Sequence, residues 1–269
     1  MSVQLEIRDG SPWWLSPDIW TVPGDDPESS PGTPIVGVAA YLWANVRNNG
    51  STAVTDAVVR FYWANPNTGF DRNTANLIGN SFVSLNPGQA QDVLCLNPWI
   101  PSFVNGGHEC VLAEAFHPSD PLPAAPDFNV PTDRHVAQRN LNVVMASMSM
   151  FSASFEIHNP SRNAKEFRIR IEEGKLEELK PLAARYGDLV KKLNAGKIKS
   201  WNLSDQRCAS GDPKKQERPV DHPPIKIGPG GRAGLTLAGE ITGDSVIFHV
   251  RQFDGDREVG GLSILVINR

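Results

Sequence analysis

Between positions 36 and 64 the chain twice alternates apolar and polar residues over the length of a β-strand, and this period of two constrains the fold more than any other feature. Val36, Val38, Ala40, Leu42, Ala44 and Val46 share one face of the first run, and Tyr41, Trp43 and Asn45 share the other. Successive side chains on a strand point to opposite faces, so such a run suits a half-buried strand and no helix. After Asn48-Asn49-Gly50-Ser51 a second run, TDAVVRFYWANP, repeats the pattern and ends on Trp63-Ala64 as the first passes Trp43-Ala44. The same alternation marks Val3-Leu5-Ile7, then Phe151-Ala153-Phe155-Ile157, and Phe167-Ile169-Ile171. Turn signals separate the runs: TVPGDDPESSPGTP at 21–34, NPNTG at 65–69, NPGQ at 86–89, HNPSRN at 158–163 and FDGD at 253–256. With 23 glycines and 22 prolines spread between short apolar runs, the chain reads as all-β.

One segment departs from this period. From 175 to 195, Leu176, Leu179, Leu182, Ala183, Tyr186, Leu189, Val190 and Leu193 fall at helical spacing, with Pro181 dividing the segment and Gly196 placed as a C-terminal cap. A chain of 269 residues suits two domains of about 100–150 residues each. The expected architecture is therefore two tandem immunoglobulin-like β-sandwiches, 1–145 and 146–269, the second with a helical insertion at about 175–196. The phrases VRNNGSTAVTDAVVRFYW and IHNPSRNAKEFRIRI read as equivalent hairpins, which would pair Trp43 and Trp63 in one sheet. HVAQRNLNVV at 135–144 reads as the last strand of the first sandwich.

Net charge of −4 and a pI near 5.9 argue against a nucleic-acid partner, which needs a basic excess to replace phosphate counterions. No apolar run reaches the ~20 residues that span a bilayer. The first 20 residues lack a basic stretch followed by an apolar one, so the expected location is cytoplasmic, or exported without a recognisable signal peptide.

The residues that could carry chemistry form no strong motif. Cys95, Cys110 and Cys208 have no zinc spacing; Cys95 and Cys110 read as buried thiols or, in an oxidising compartment, as a disulfide. His108 beside Cys110 suggests a nucleophile pair, but no oxyanion motif accompanies it. Asp18, Asp25, Asp26 and Glu28 are oxygen ligands of the kind calcium takes, yet they fit no metal-loop spacing and read as solvated loop acids. Gly-Pro-Gly-Gly-Arg at 228–232 is no phosphate loop, since no Lys-Ser/Thr follows. No catalytic residue, cofactor or metal ligand is expected.

The segments SPDIW (16–20), YLWANVRNNGSTAVTDAVVRFYWANPNTG (41–69), GHECVLAEAF (107–116) and HVAQRNLNVV (135–144) resemble bacterial immunoglobulin-like domains of the CARDB type, which are adhesion-related modules. HVRQFDGDREVGGLSILV looks like the last hairpin of a related module. The resemblance covers 1–145 well and 146–269 loosely. It implies a sandwich used as spacer, scaffold or binding unit, and it implies no catalytic residues.

The functional expectation is a non-enzymatic binding or structural module with a protein partner. The alternatives are a carbohydrate-binding or adhesion protein, and a subunit of a larger toxin or injection assembly. Trp13 and Trp14 are the candidate interaction residues near the N-terminus, and Leu182 and Tyr186 those of the insertion. The long loops at 117–133 and 208–224 are candidate partner surfaces.

Overall fold

The computed structural model describes residues 2–64, 70–73, 75–102, 110–125, 127–186, 192–205 and 220–268. His108, Cys208 and the segment 187–191 lie outside them. The chain is all-β, built from sheets that face one another around two separate cores, as the period of two required.

In the N-terminal half, β3 (Ala40–Asn48) is flanked on one side by β1 (Leu5–Glu6) and β2 (Ile19–Pro23), and on the other by β6 (Ala90–Leu94). The facing sheet runs in the order β5 (Asn76–Leu85), β4 (Val54–Ala64), β7 (Cys110–Phe116), β8 (Val136–Arg139). Leu42, Ala44 and Val46 from one sheet and Val59, Phe61 and Ala113 from the other close the core between them. The first strand starts later than expected. Ile35–Val38 form a turn, in which the Val38 N–H donates to Ile35 O, and Gly37 holds a left-handed φ of +78°. Ile35, Val36 and Val38 consequently stay exposed.

The expected hairpin between Trp43 and Trp63 does not form. β3 and β4 belong to opposite sheets, and Asn48–Ser51 is the corner where the chain crosses between them. Buried Asn48 holds that corner. Its amide donates to Thr52 O (2.8 Å) and Leu85 O (3.4 Å), and its Oδ1 accepts from the N–H groups of Gly50 and Gln4. The same device recurs at Asn159, whose amide donates to the carbonyls of Asn163, Ile227 and Gly228 while Oδ1 accepts from Ser161. The two phrases are equivalent, but as sheet-crossing corners. Turn residues announce a reversal equally well in either setting, because an Asn side chain satisfies backbone groups in both.

In the C-terminal half, β10 (Met150–His158), β14 (Arg232–Thr242) and β12 (Lys197–Asp205) form one sheet. The other has the order β13 (Val220–Ile227), β11 (Lys165–Glu173), β15 (Ser245–Asp254), β16 (Arg257–Asn268), β9 (Leu141–Ala146). Asp254-Gly255-Asp256-Arg257 makes the expected hairpin, with Gly255 at φ +62°. β9 joins this sheet through a parallel pairing with β16. The stretch 135–144 is thus two strands serving both halves, and the sheets change over at buried Asn140 rather than at 145.

The described part of the insertion opens with a 3-10 segment, where its spacing suggested an α-helix. That segment is Leu176–Leu182, and among the described residues α1 covers Ala183–Tyr186. Pro181 supplies no N–H and blocks a regular α-helix through this point. Gly196 caps no helix. It enters β12 against Thr242 O, where an added Cβ would lie 2.5 Å from that oxygen. No helix among the described residues is long and apolar enough to cross a membrane.

Candidate functional site

Two features join the halves, a buried joint and an open cleft beside it. The joint is built from the loop before β2. Gly10–Ser16 leaves the first sandwich and lays Trp14 against the sheet of the second, where it packs with Leu15, Leu141, Leu179, Leu182 and Leu265. Trp14 is 0% exposed, and its ring meets Trp13 and His249 edge-on at 5.3 and 5.8 Å. Gly261 makes room for it, since a Cβ there would lie 2.0 Å from the indole.

A hydrogen-bond chain completes the joint. Trp14 Nε1–H donates to Ser263 Oγ (2.8 Å), Ser263 Oγ lies 2.9 Å from His249 Nδ1, and His249 Nε2 lies 2.6 Å from Glu178 Oε2. The neutral His249 tautomer with its proton on Nε2 satisfies every partner, donating to Glu178 and accepting the Ser263 hydroxyl. Burial lowers the His249 pKa, against the opposing pull of Glu178, which favours this neutral form. Serine, histidine and glutamate in one chain invite comparison with a nucleophile triad. Here, however, Ser263 is 0% exposed and its oxygen already accepts the Trp14 N–H, so it has no approach for a substrate. At the rim, Trp13 Nε1–H donates to Glu258 Oε1 (2.6 Å), and Arg251 links Glu258 and Glu172 beneath the Trp14 ring.

The cleft beside the joint has a volume of about 320 Å³. One wall, from the first half, carries Phe70, Asp71, Asp127 and Phe128; the other, from the second, carries Arg162, Lys165, Phe167 and Arg257, with the acids Asp254 and Glu258 among them. The first wall rests on a buried charge. Glu114, 0% exposed, accepts from Tyr62 Oη and Arg72 Nε, each at 2.7 Å, with Arg60 at 3.6 Å. Arg72 then donates to Ala125 O and Asp127 O and lies 4.9 Å over the Phe128 ring. The 117–133 loop is held in place from below by this relay. On the second wall, Lys165 is paired with Asp254 at 2.5 Å, whereas exposed Arg162 and Arg257 have no partner among the described residues.

The residues singled out from the sequence are distributed differently from expectation. Trp14 and Leu182 are wholly buried in the joint, so they face no outside partner; a hydrophobic side chain at an internal interface has the same sequence signature as one at an external interface. Trp13 is half-buried at the rim of the joint. Tyr186 lies on α1, and its side chain lies outside the described residues. Of the seven tryptophans four are buried and three half-buried, so none stands out as an open sugar-stacking platform. Cys95 and Cys110 are free, buried thiols. Burial pushes Cys95 up to about 11 and Cys110 well above its ordinary value, which makes both poor nucleophiles. Asp18 is no open metal ligand: Arg8 Nε and Nη2 grip it at 2.8 and 2.7 Å. Among the described residues no three of His, Cys, Asp or Glu are placed to hold a metal ion. The cleft itself was missed. Its signal was weak, because its walls come from distant turns such as 70–73, 127–131 and 159–162.

A further titratable group lies near the first wall. His135 Nδ1 meets Asp133 Oδ1 at 2.7 Å, and this contact lowers the Asp133 pKa against the raising effect of burial. Asp9 is pushed up to about 7, by burial first and then by Glu6 and Asp133. The folded carboxyl thus keeps a proton that the unfolded chain releases near its ordinary 3.8. Its stabilising contribution is complete below that pH and is lost as pH rises through about 7. Asp9→Asn is expected to be more stable than the wild type by about 1–2 kcal/mol near pH 8, after discounting for partial exposure, with the difference vanishing near pH 4. Urea unfolding at the two pH values measures it.

No family model and no curated protein matches the chain. Among solved structures, a CARDB domain from Pyrococcus furiosus, in complex with di-metal ions, is 18% identical over 51% of this chain and 90% of that one, with a TM-score of 0.30. An anti-sigma factor domain-containing protein from Clostridium clariflavum is 12% identical over 97% of both chains, with a TM-score of 0.29. Red sea bream transglutaminase is 10% identical with a TM-score of 0.26; the match covers 94% of this chain and 31% of that enzyme. Likenesses at these scores carry no argument about function.

Proposed function

We propose that the protein is a non-enzymatic binding module whose two sandwiches, meeting at Asn140, act as separate domains locked at a set angle, and that the cleft between them takes an extended segment of a protein partner. One observation carries this reading. The two walls come from different halves, each is braced from below, and the second presents two guanidinium groups without a partner among the described residues. Arginine forks match carboxylates in two parallel bonds, and the edges of the otherwise buried Phe70, Phe128 and Phe167 line the cleft between the walls. The favoured segment therefore bears an acidic group next to an apolar side chain. A sugar partner is less favoured, because no open tryptophan platform is found among the described residues.

Selection of displayed random peptides on the intact protein tests the proposal. Enriched peptides should carry an Asp, Glu or free C-terminus near a hydrophobic residue. They should bind Arg162→Glu/Arg257→Glu about 10–100-fold more weakly, as expected for loss of charged hydrogen bonds. Peptides that bind the double variant as tightly as the wild type would place the binding surface elsewhere.

A further inference from the structure

The outward face of the first sheet carries a second arrangement, independent of the cleft. Trp20 on β2 and Trp43 on β3 are directly opposed in the strand register, and so are Asn45 on β3 and Asp92 on β6. Trp43 and Asn45 lie two apart on one strand, so all four side chains share a face. The two indoles stack with centroids 5.9 Å apart and planes 5° from parallel. The Trp43 N–H donates to Pro27 O (3.0 Å), which fixes its ring, and Asn45 Nδ2 donates to Asp92 Oδ1 (2.7 Å), which orients the carboxylate. Three strands of one sheet, with the Pro27 carbonyl of the loop between β2 and β3, thus set an aromatic stack beside an aimed carboxylate.

The occupant comes from elsewhere. Arg185, on α1, places its guanidinium carbon 3.7 Å from the Trp20 ring centre, and its Nη2 lies 3.3 and 3.2 Å from the two Asp92 oxygens. The insertion is anchored to the second sandwich by Leu179, Leu182 and Glu178, so Arg185 reaches across as one side chain. About a third of the Arg185 side chain and two-fifths of Asp92 remain open to solvent, which leaves the site accessible to exchange.

We propose that Trp20, Trp43 and Asp92 form an arginine-binding site, occupied here by Arg185 and able to take an arginine side chain of a partner polypeptide in its place. The chemistry selects arginine over lysine. A planar guanidinium lies on the indole face while its Nη2 reaches both carboxylate oxygens, whereas an ammonium is a compact point charge with no flat face to stack. Tethering gives Arg185 an effective concentration in the millimolar range, so it masks the site from weak ligands and yields to a segment that gains further contacts.

The test uses the full chain with Arg185→Ala and the blocked single residue N-acetyl-arginine methylamide, followed through the indole N–H signals of Trp20 and Trp43 in the NMR spectrum. Saturable shifts are expected, with a dissociation constant on the order of millimolar. The wild type should respond about twofold more weakly because Arg185 competes at a comparable effective concentration, and the lysine analogue about fivefold more weakly. Asp92→Ala in the Arg185→Ala chain should abolish the response, while Arg162→Glu/Arg257→Glu should leave it intact. Arg185→Gln, which keeps a polar side chain on α1, serves as the second open variant. No saturable shift in either open variant, or equal responses to arginine and lysine, would overturn the proposal.

Discussion

Trp14→Ala is expected to lower the unfolding free energy by about 3–5 kcal/mol, the range for truncating a large buried aromatic. The cost exceeds that of a core tryptophan in one sandwich, because the same side chain supports two. Its ring fills the space above Gly261, and its N–H holds the Ser263–His249–Glu178 chain in one tautomer. Removing it leaves a cavity between the halves and frees the Ser263 oxygen of its donor. Each half keeps its own core, so the loss should appear first as separation of one unfolding transition into two. Differential scanning calorimetry reads this directly. A single transition shifted down without splitting would mean that Trp14 stabilises but does not couple the halves.

The second large effect is expected at Glu114. Glu114→Ala should cost about 3–5 kcal/mol, the range for breaking a buried ion pair by removing one partner. Arg72 would lose its buried counter-charge, and Tyr62 the acceptor of its hydroxyl. The Tyr62 pKa is raised by burial first and then by the Glu114 carboxylate, so the variant should also bring the tyrosine titration back down. Because Arg72 holds the Ala125 and Asp127 carbonyls and the Phe128 ring, the first wall of the cleft should loosen as well. Denaturant unfolding gives the stability change, and hydrogen exchange at 127–130 reports the wall. Unchanged exchange there would separate the stability role of Glu114 from its role at the cleft.

How far the sequence was legible depends on the distance over which each residue acts. Alternation is local, and it identified strands such as 40–48, 54–64, 150–158 and 165–173, and with them the all-β class. The Asp-Gly turn at 254–257 was equally local, since Gly255 supplies its left-handed φ. Asn48 and Asn159 were read as turn formers, correctly as to reversal and wrongly as to which sheet the next strand enters. That choice is made by carbonyls far along the chain, Leu85 for the first and Ile227 for the second. Helical spacing at 176–182 suggested an α-helix for a related reason. Leu179 and Leu182 face the joint, and a 3-10 segment presents residues three apart as readily as an α-helix does.

The candidate site was harder to see. Trp13 and Trp14 stood out, but their burial between halves depends on Gly261 and Ser263, nearly the whole chain away. The joint bridges two faces that read, strand by strand, like ordinary sandwich surfaces. Arg185 carried no signal at all, since an arginine in an exposed helix reads as solvated until its partners on β2 and β6 are known.

The central claim is that the joint sets one angle between the halves, and therefore one cleft. Spin labels at Ser84→Cys and Ser154→Cys, one in each half and both exposed, test it in a Cys208→Ser background, with Cys95 and Cys110 left buried. Pulsed dipolar spectroscopy should give a single narrow distance distribution for the otherwise wild-type chain and a broad one when Trp14→Ala is added. A broad distribution with Trp14 in place would contradict the account.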